Sequence, residues 1–287
     1  MLFPQKTINC GGRLLTLETP RIMGIINVTP DSFYAGSRRR ELAAIVATAG
    51  DMLAAGADIL DIGGMSSRPG AELISVPEEL ERVIPAIEAI LATHPEALIS
   101  VDTVRAEVAR QAVSTGAVMI NDISAGRIDP VMYDTAAGLR VPYILMHMRG
   151  TPADMQRQAE YEDVSLAVLD FLAAELAILR EKGVSDVIAD PGFGFGKTID
   201  HNYQLLDKLH TLQILEIPIL AGLSRKSMIY RVLGKEPADA LNGTTALHML
   251  ALEQGARLLR VHDVGPAREV IQLWERLQAN RTQTADH

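Results

Sequence analysis

Cysteine is nearly absent: Cys10 is the only one in 287 residues. No internal disulfide can form, a metal held by several cysteines is excluded, and a reducing, cytoplasmic setting is expected. Long apolar runs are missing too, since none approaches the ~18 residues that span a bilayer. The opening stretch MLFPQKTINCGGRLL carries no basic segment followed by an apolar one of the kind that marks a leader. We therefore expect a soluble chain with no membrane partner. Positive charge is in deficit, with a net charge of -9 and a pI of about 5.3. Nucleic acid and acidic membrane reward a basic face, so neither is an expected partner, although a local cluster of Arg and Lys for a small phosphorylated ligand remains open.

Several common motifs are also missing. G-x-G-x-x-G and H-E-x-x-H occur nowhere. The segment DPGFGFGKT invites a phosphate-loop reading, but G-x-x-x-x-G-K-[ST] needs glycine where Pro191 stands, so that reading is excluded. No linker, charge block or low-complexity stretch divides the chain. Length alone would suggest two domains at ~150 residues each, yet α/β barrels of ~250 residues run as one. We read a single domain over 1–287, with a hairpin at 6–18, a barrel at 21–279 and a flexible polar tail at 280–287.

What is present is a repeated alternation. Eight short apolar runs recur: RIMGIIN (21–27), ADILDIGG (57–64), ALISVDT (97–103), AVMINDI (117–123), VPYILMHM (141–148), VSDVIADPG (184–192), IPILAGLSRK (217–226) and ARLLRVHDV (256–264). They are nearly continuous in Ile, Leu, Val and Ala, as expected of parallel strands covered on both faces. Between them the period changes. Leu80, Val83, Ile84, Ile87, Ile90 and Leu91 fall at spacings of three and four, and so do Val164, Val168, Leu172, Leu176 and Leu179; each set lays one apolar stripe along a helix. Pro77 suits a first turn, whereas Pro85 inside the same helix predicts a kink. Eight β/α units at this length favour a closed (β/α)8 TIM barrel over an open sheet. Ahead of them, KTIN, Cys10-Gly11-Gly12 and RLLTLE read as a β-hairpin able to cap the lower end of the barrel.

The informative feature is how the runs end: Asn27, Asp61, Asp102, Asn121 with Asp122, His147, Asp190, Ser224 with Arg225 and Lys226, and Arg260 with His262. One polar residue at a strand end is usually a helix cap or turn former. Eight such ends converge on one face, because barrel active sites lie at the C-terminal ends of the strands. Arg260 and His262, two apart, share a face of one strand and would suit an anion, or else pair with local acids. Glycines in DIGG, DPGFGFG and AGLSRK serve tight turns or close approach of backbone amides to a ligand.

The segments MGIINVTPDSF, DIGGMSSRPGA, ISVDT, INDISAG, LMHMRGTPADMQ, DPGFGFGKTIDHNYQLL, GLSRKSMI and QGARLLRVHDV, in that order between about Met23 and Val264, resemble the dihydropteroate synthase family. The resemblance implies a homodimeric barrel that condenses 7,8-dihydropterin-6-ylmethyl diphosphate with p-aminobenzoate, releasing diphosphate and forming 7,8-dihydropteroate, with Mg2+ as cofactor. By that resemblance Asp102, Asn121, Asp190, Lys226, Met146 and Gly222 bind the pterin. Ser67, Arg68, Arg260 and His262 bind the diphosphate, and Asn27 binds the metal. Thr29, Pro69, Phe195 and Ser227, with Lys226, receive p-aminobenzoate at a helix N-terminus, and sulfonamides should compete there. Lys226, Arg260 and His262 would be catalytic. Electron-rich dihydropterin can stabilise a cation at its exocyclic methylene, which makes a dissociative path the expectation. Two loops depart from the family pattern: DSFYAGS, where DSFSDGG is common, puts Ala35 in place of an acid, and GGMSSRPG, where GGESTRPG is common, puts Met65 in place of an acid and Ser67 in place of a threonine. These departures keep open a pterin-binding homologue impaired in turnover. A methyltetrahydrofolate methyltransferase-like barrel would share the pterin-edge residues but has no need of Arg68, Lys226, Arg260 and His262.

Overall fold

The structure is a computed structural model that describes residues 5–28, 35–66, 70 and 73–285, the side chains of 35–39 and 282–285 excepted. Two short strands, β1 (Thr7–Cys10) and β2 (Arg13–Thr16), pair antiparallel with Cys10 opposite Arg13. The two residues between them, Gly11 and Gly12, have φ of +61° and +90°. Positive φ at both positions matches the right-handed strand twist, and glycine reaches it without cost.

Eight parallel strands follow: β3 (Arg21–Asn27), β4 (Ile59–Gly63), β5 (Ile99–Asp102), β6 (Met119–Asp122), β7 (Tyr143–Met146), β8 (Val187–Asp190), β9 (Leu220–Ala221) and β10 (Leu258–Val261). Their lateral order is β8-β7-β6-β5-β4-β3-β10-β9. A single parallel bridge between Ala189 and Ile219 joins the two ends, with the Ala189 N–H donating to the Pro218 carbonyl at 2.8 Å. Each apolar run of the sequence contains one strand. The run at 217–226 is the shortest realised, with only Leu220 and Ala221 in a ladder. Pro218 has no N–H to contribute to one.

Helices α1 (Ala35–Ala54), α2 (Val76–Thr93), α3 (Ala106–Thr115), α4 (Met132–Leu139), α5 (Val164–Glu181), α6 (Ile199–Asp207), α7 (Ser227–Tyr230), α8 (Leu241–Glu253) and α9 (Val264–Ala285) surround the strands. Both stripes read from the sequence face inward: Val83, Ile87 and Ile90 on α2, and Val164, Val168, Leu172, Leu176 and Leu179 on α5, are buried. Local chemistry sets their starts. Ser75 Oγ accepts the Glu78 N–H at the head of α2, and Asp163 accepts the N–H groups of Ser165 and Leu166 at the head of α5, satisfying donors that have no partner within the helix. Helix α2 stays one element through Pro85. Helix α9 continues to Ala285, through most of the tail that its polar composition suggested would fray.

The strands carry two layers inside the barrel, because residues two apart on a strand share a face. The lower layer is apolar: Met23, Ile59, Met119, Ile144, Ile188, Leu220 and Leu258, closed from below by Ile8, Cys10 and Leu17 of the hairpin segment. Two residues further along the same strands stand Asp61, Asn121, Met146, Asp190, Gly222 and Arg260. The alternate positions, such as Leu60, Ile62, Ile120, Leu145 and Leu259, face outward into the core shared with the helices. The hairpin plugs one end, so the polar layer opens only at the other.

Candidate active site

Arg260 organises that upper layer. Its Nε donates to Asp61 Oδ2 at 2.7 Å and its Nη2 to Asp102 Oδ2 at 2.6 Å, while Asn121 Nδ2 donates to the same Asp61 oxygen at 2.9 Å. Asp61 is fully buried and its other oxygen has no partner among the described residues. Burial works against the Arg260 charge, but Asp61 and Asp102 more than offset it and hold the guanidinium protonated. Burial raises the Asp102 carboxyl above the usual carboxylate range, and Arg260 pulls it back. Arg260 thus pairs with two acids inside the barrel mouth rather than on a solvated rim.

Asp190, at the end of β8, is 6% exposed. Its Oδ1 accepts the Gly192 N–H at 2.7 Å. Burial raises its pKa, and Lys226 opposes the rise. The turn after β8 is built on glycine. Gly192, Gly194 and Gly196 have φ of +69°, +83° and +58°, and a Cβ on Gly192 would lie 2.0 Å from the His147 carbonyl oxygen. Lys226, after β9, donates its Nζ to the Phe193 carbonyl of this turn and sits 4.6 Å from the centre of the Phe195 ring. Burial lowers its pKa to about 8, with Asp190 working the other way. A cation over an aromatic face beside a carboxylate can orient a flat, polar-edged ligand.

Near β10, Ser224 Oγ lies 3.0 Å from His262 Nδ1 and accepts the His262 backbone N–H at 3.2 Å. His262 is exposed at the mouth, as is Asn27 at the end of β3. Met146 is buried, and Gly222 lies beside Lys226, whose Nζ would be 3.8 Å from a Cβ built there. Ser227 begins α7, which is a single turn. The macrodipole there is small, so Lys226 carries the positive charge on that side. Asp102, Asn121, Asp190, Lys226, Met146, Gly222, Arg260, His262, Phe195, Ser227 and Asn27 thus share one end of the barrel. Thr29, Ser67, Arg68 and Pro69 lie outside the described residues, as does the side chain of Ala35.

Two strand-end groups turn out to be structural. Asp122 points outward and accepts from Tyr143 Oη, Ser124 Oγ, and the N–H groups of Ser124 and Gly126. Arg225 makes a bidentate pair with Asp263 at 2.8 and 2.7 Å. Met65 joins Met146, Met148 and Met155 in an apolar cluster at the mouth and is 8% exposed; a glutamate there would be a buried charge. Asp61 and Lys197 are part of the site although sequence reasoning assigned them no ligand role. Asp61 was visible as a polar strand end, and Lys197 only as the lysine ending a glycine-rich turn.

Residues 23–262 match the model of the pterin binding enzyme family. Over 266 residues the chain is 44% identical to dihydropteroate synthase of Escherichia coli (strain K12), covering 92% of this chain and 94% of that protein. A solved structure of Xanthomonas albilineans dihydropteroate synthase with 4-aminobenzoic acid is 46% identical, covers 96% of this chain and 98% of its own, and superposes with a TM-score of 0.88. The Yersinia pestis dihydropteroate synthase with a sulfonamide drug is 40% identical, covers 95% of this chain and 99% of its own, and superposes with a TM-score of 0.89. With a shared fold, a polar layer at one barrel end and identity of this extent, the chain belongs to the pterin binding enzyme family, among its dihydropteroate synthases.

Proposed function

We propose that this chain condenses 7,8-dihydropterin-6-ylmethyl diphosphate with p-aminobenzoate to give 7,8-dihydropteroate and diphosphate. The observation that carries the residue roles is the division of the polar layer into two chemistries side by side. Buried Asp190 and Asn121, with Asp102, offer acceptors and an amide to the N–H and carbonyl edge of a pterin. Arg260 and His262 offer donors to a diphosphate. Lys226 over Phe195, next to Gly222 and Ser227, suits the carboxylate and ring of p-aminobenzoate, together with Thr29 and Pro69. Ser67 and Arg68 would add to the diphosphate contacts from the loop after β4.

Bond breaking places growing negative charge on the leaving oxygen, and preorganised donors stabilise it. In the proposed path the methylene C–O bond breaks first and the electron pair leaves with diphosphate. The aniline nitrogen then bonds to the methylene carbon and releases its proton to solvent. No covalent enzyme intermediate is needed.

Among the described residues no group of three or more His, Cys, Asp and Glu could hold a metal ion. The donor set nevertheless fits Mg2+, which keeps several waters and needs only one or two protein oxygens beside a substrate phosphate. Exposed Asn27 would offer its amide oxygen there, and the ion would neutralise charge on the leaving diphosphate. Among the described residues no helix is long and apolar enough to cross a membrane. Leu250 on α8 and Leu273 and Leu277 on α9 are 41%, 65% and 40% exposed on adjacent helices, which supports a homodimer formed through this face; sedimentation would read its mass.

The test is to incubate the purified protein with both substrates and Mg2+ and to measure dihydropteroate and diphosphate. We expect both in equal amounts, inhibition by a sulfonamide competitive with p-aminobenzoate, and loss of rate on chelation. Pterin binding without product would instead leave an impaired homologue, the reading that Ala35 and Met65 keep open.

A further inference from the structure

The turn 191–196, which joins the pterin carboxylate Asp190 to the ring of Phe195, has its carbonyls pointed at side-chain donors. Phe193 O accepts from Lys226 Nζ, Gly194 O from Gln156 Nε2 at 3.0 Å, and Gly196 O from Tyr161 Oη at 2.9 Å. Two further carbonyls of the turn, those of Gly192 and Phe195, are met by Lys197, which is 3% exposed. Its Nζ lies 2.9 Å from Gly192 O, 3.1 Å from Phe195 O and 2.9 Å from His147 Nδ1.

An ammonium has three N–H donors and no acceptor. The three acceptors within 3.1 Å therefore use it fully, with the His147 carbonyl further off at 3.5 Å. The imidazole of His147 can accept because burial, and then Lys197 itself, push its pKa down to about 2, leaving it neutral. A neutral amine in the same place would turn its lone pair toward one of the three acceptors. Burial pulls the Lys197 pKa down to about 7 while Asp190 supports the charge, so holding the ammonium among these acceptors works against burial. Structural needs alone are met more cheaply by neutral donors such as Gln156 and Tyr161, which already hold two carbonyls of the turn.

We propose that Lys197 is a positioning residue for both substrates: its ammonium, held by His147, Gly192 O and Phe195 O, sets the turn and through it the Asp190 carboxylate and the Phe195 ring. The link to Asp190 is the Gly192 N–H, which donates to Asp190 Oδ1 at 2.7 Å from the peptide unit adjoining the gripped carbonyl. The link to Phe195 is its own carbonyl. The inference rests on the reading of Asp190 and Phe195 as substrate contacts given above.

Lys197→Met keeps the length of the side chain and removes all three donors. Calorimetry with the 6-hydroxymethyl dihydropterin, which lacks diphosphate, should show affinity weakened about 10- to 100-fold, the size expected on losing hydrogen bonds to a charged group. The KM for p-aminobenzoate should rise with it. The affinity for inorganic diphosphate should stay within about twofold, since Arg260 on β10 and His262 just after it touch no atom of the turn in any of the contacts above. If Lys197→Met does not fold, Lys197→Gln retains N–H donors and should show the same pattern at about 3- to 10-fold. A folded variant that binds the pterin as the wild type does would overturn the proposal. So would equal weakening of pterin and diphosphate, which marks a residue that only holds the fold. Failure of the wild type to form dihydropteroate would overturn the functional reading instead, and the pterin-binding arm would still report on Lys197.

Discussion

Replacing Arg260 by methionine removes the partner of two carboxylates at once. Asp61 is fully buried, and its side chain and that of Asp102 are 0% and 14% exposed in their pairs with Arg260. After the substitution Asp61 keeps, among the described residues, only the Asn121 N–H, and its other oxygen has no partner among them. Breaking a buried ion pair by removing one member costs about 3–5 kcal/mol, a large share of the ~5–15 kcal/mol that holds a domain together. The sign of the pH dependence follows from burial. Asp102 already has its pKa raised in the native state, and without Arg260 it should rise further above the unfolded value of about 4. A raised native pKa means the folded state binds more protons, so the destabilisation is full above that pKa and shrinks as pH falls toward 4. Urea unfolding followed by the fluorescence of Trp274, the chain's only tryptophan, buried with Arg257 over its ring at 5.1 Å, gives the midpoint at each pH. We expect a deficit of about 3–5 kcal/mol at pH 8 and a clearly smaller one at pH 5. A loss below about 1 kcal/mol, or one independent of pH, would refute the account of Arg260 as the neutralising centre of the upper layer.

Two more outcomes follow from the same geometry. Gly192→Ala must relieve a 2.0 Å approach of its Cβ to the His147 backbone oxygen at φ +69°; backbone cannot rotate away as a side chain can, so a stability loss of several kcal/mol, at least ~3, is expected in thermal unfolding, together with lost pterin binding. Lys226, with its amine at about pKa 8, should lose its charge above pH 8. Affinity for p-aminobenzoate should then fall in the wild type but not in Lys226→Met, whose affinity is low throughout. The contribution of Lys226 to stability moves the opposite way, because a lowered native pKa makes its burial less costly between about pH 8 and the unfolded value near 10.4.

The barrel was legible because its signals are local. Each apolar run marks a strand, and the stripes at Val83, Ile87 and Ile90 and at Val168, Leu172 and Leu176 mark buried helix faces. The strand ends located the site for the same reason. Spacing of two fixes that Asp61 shares a face with Ile59, Asn121 with Met119, Asp190 with Ile188 and Arg260 with Leu258. What the spacing could not say is which face of each strand end meets the ligand. Asp122, adjacent to Asn121, points outward to Tyr143, and Arg225, adjacent to Lys226, turns to Asp263. The meaning of Met65 was equally hidden. Beside a family pattern it reads as a lost acid; in the fold it completes a methionine cluster with Met146, Met148 and Met155.

The sequence by itself determined the eight-unit order, the apolar lower layer and the polar residue types above it, since these depend on alternation along single strands. Tertiary structure alone decided the partnerships. Arg260 meets Asp61 across 199 residues, Asn121 meets it across 60, and Lys197 meets His147 across 50. Such contacts follow from how the sheet curls and closes, and no local periodicity encodes them. Whether a polar side chain serves a substrate, a neighbour or the fold is set there, where burial makes an unpaired charge costly and leaves each buried polar group seeking a partner from another strand.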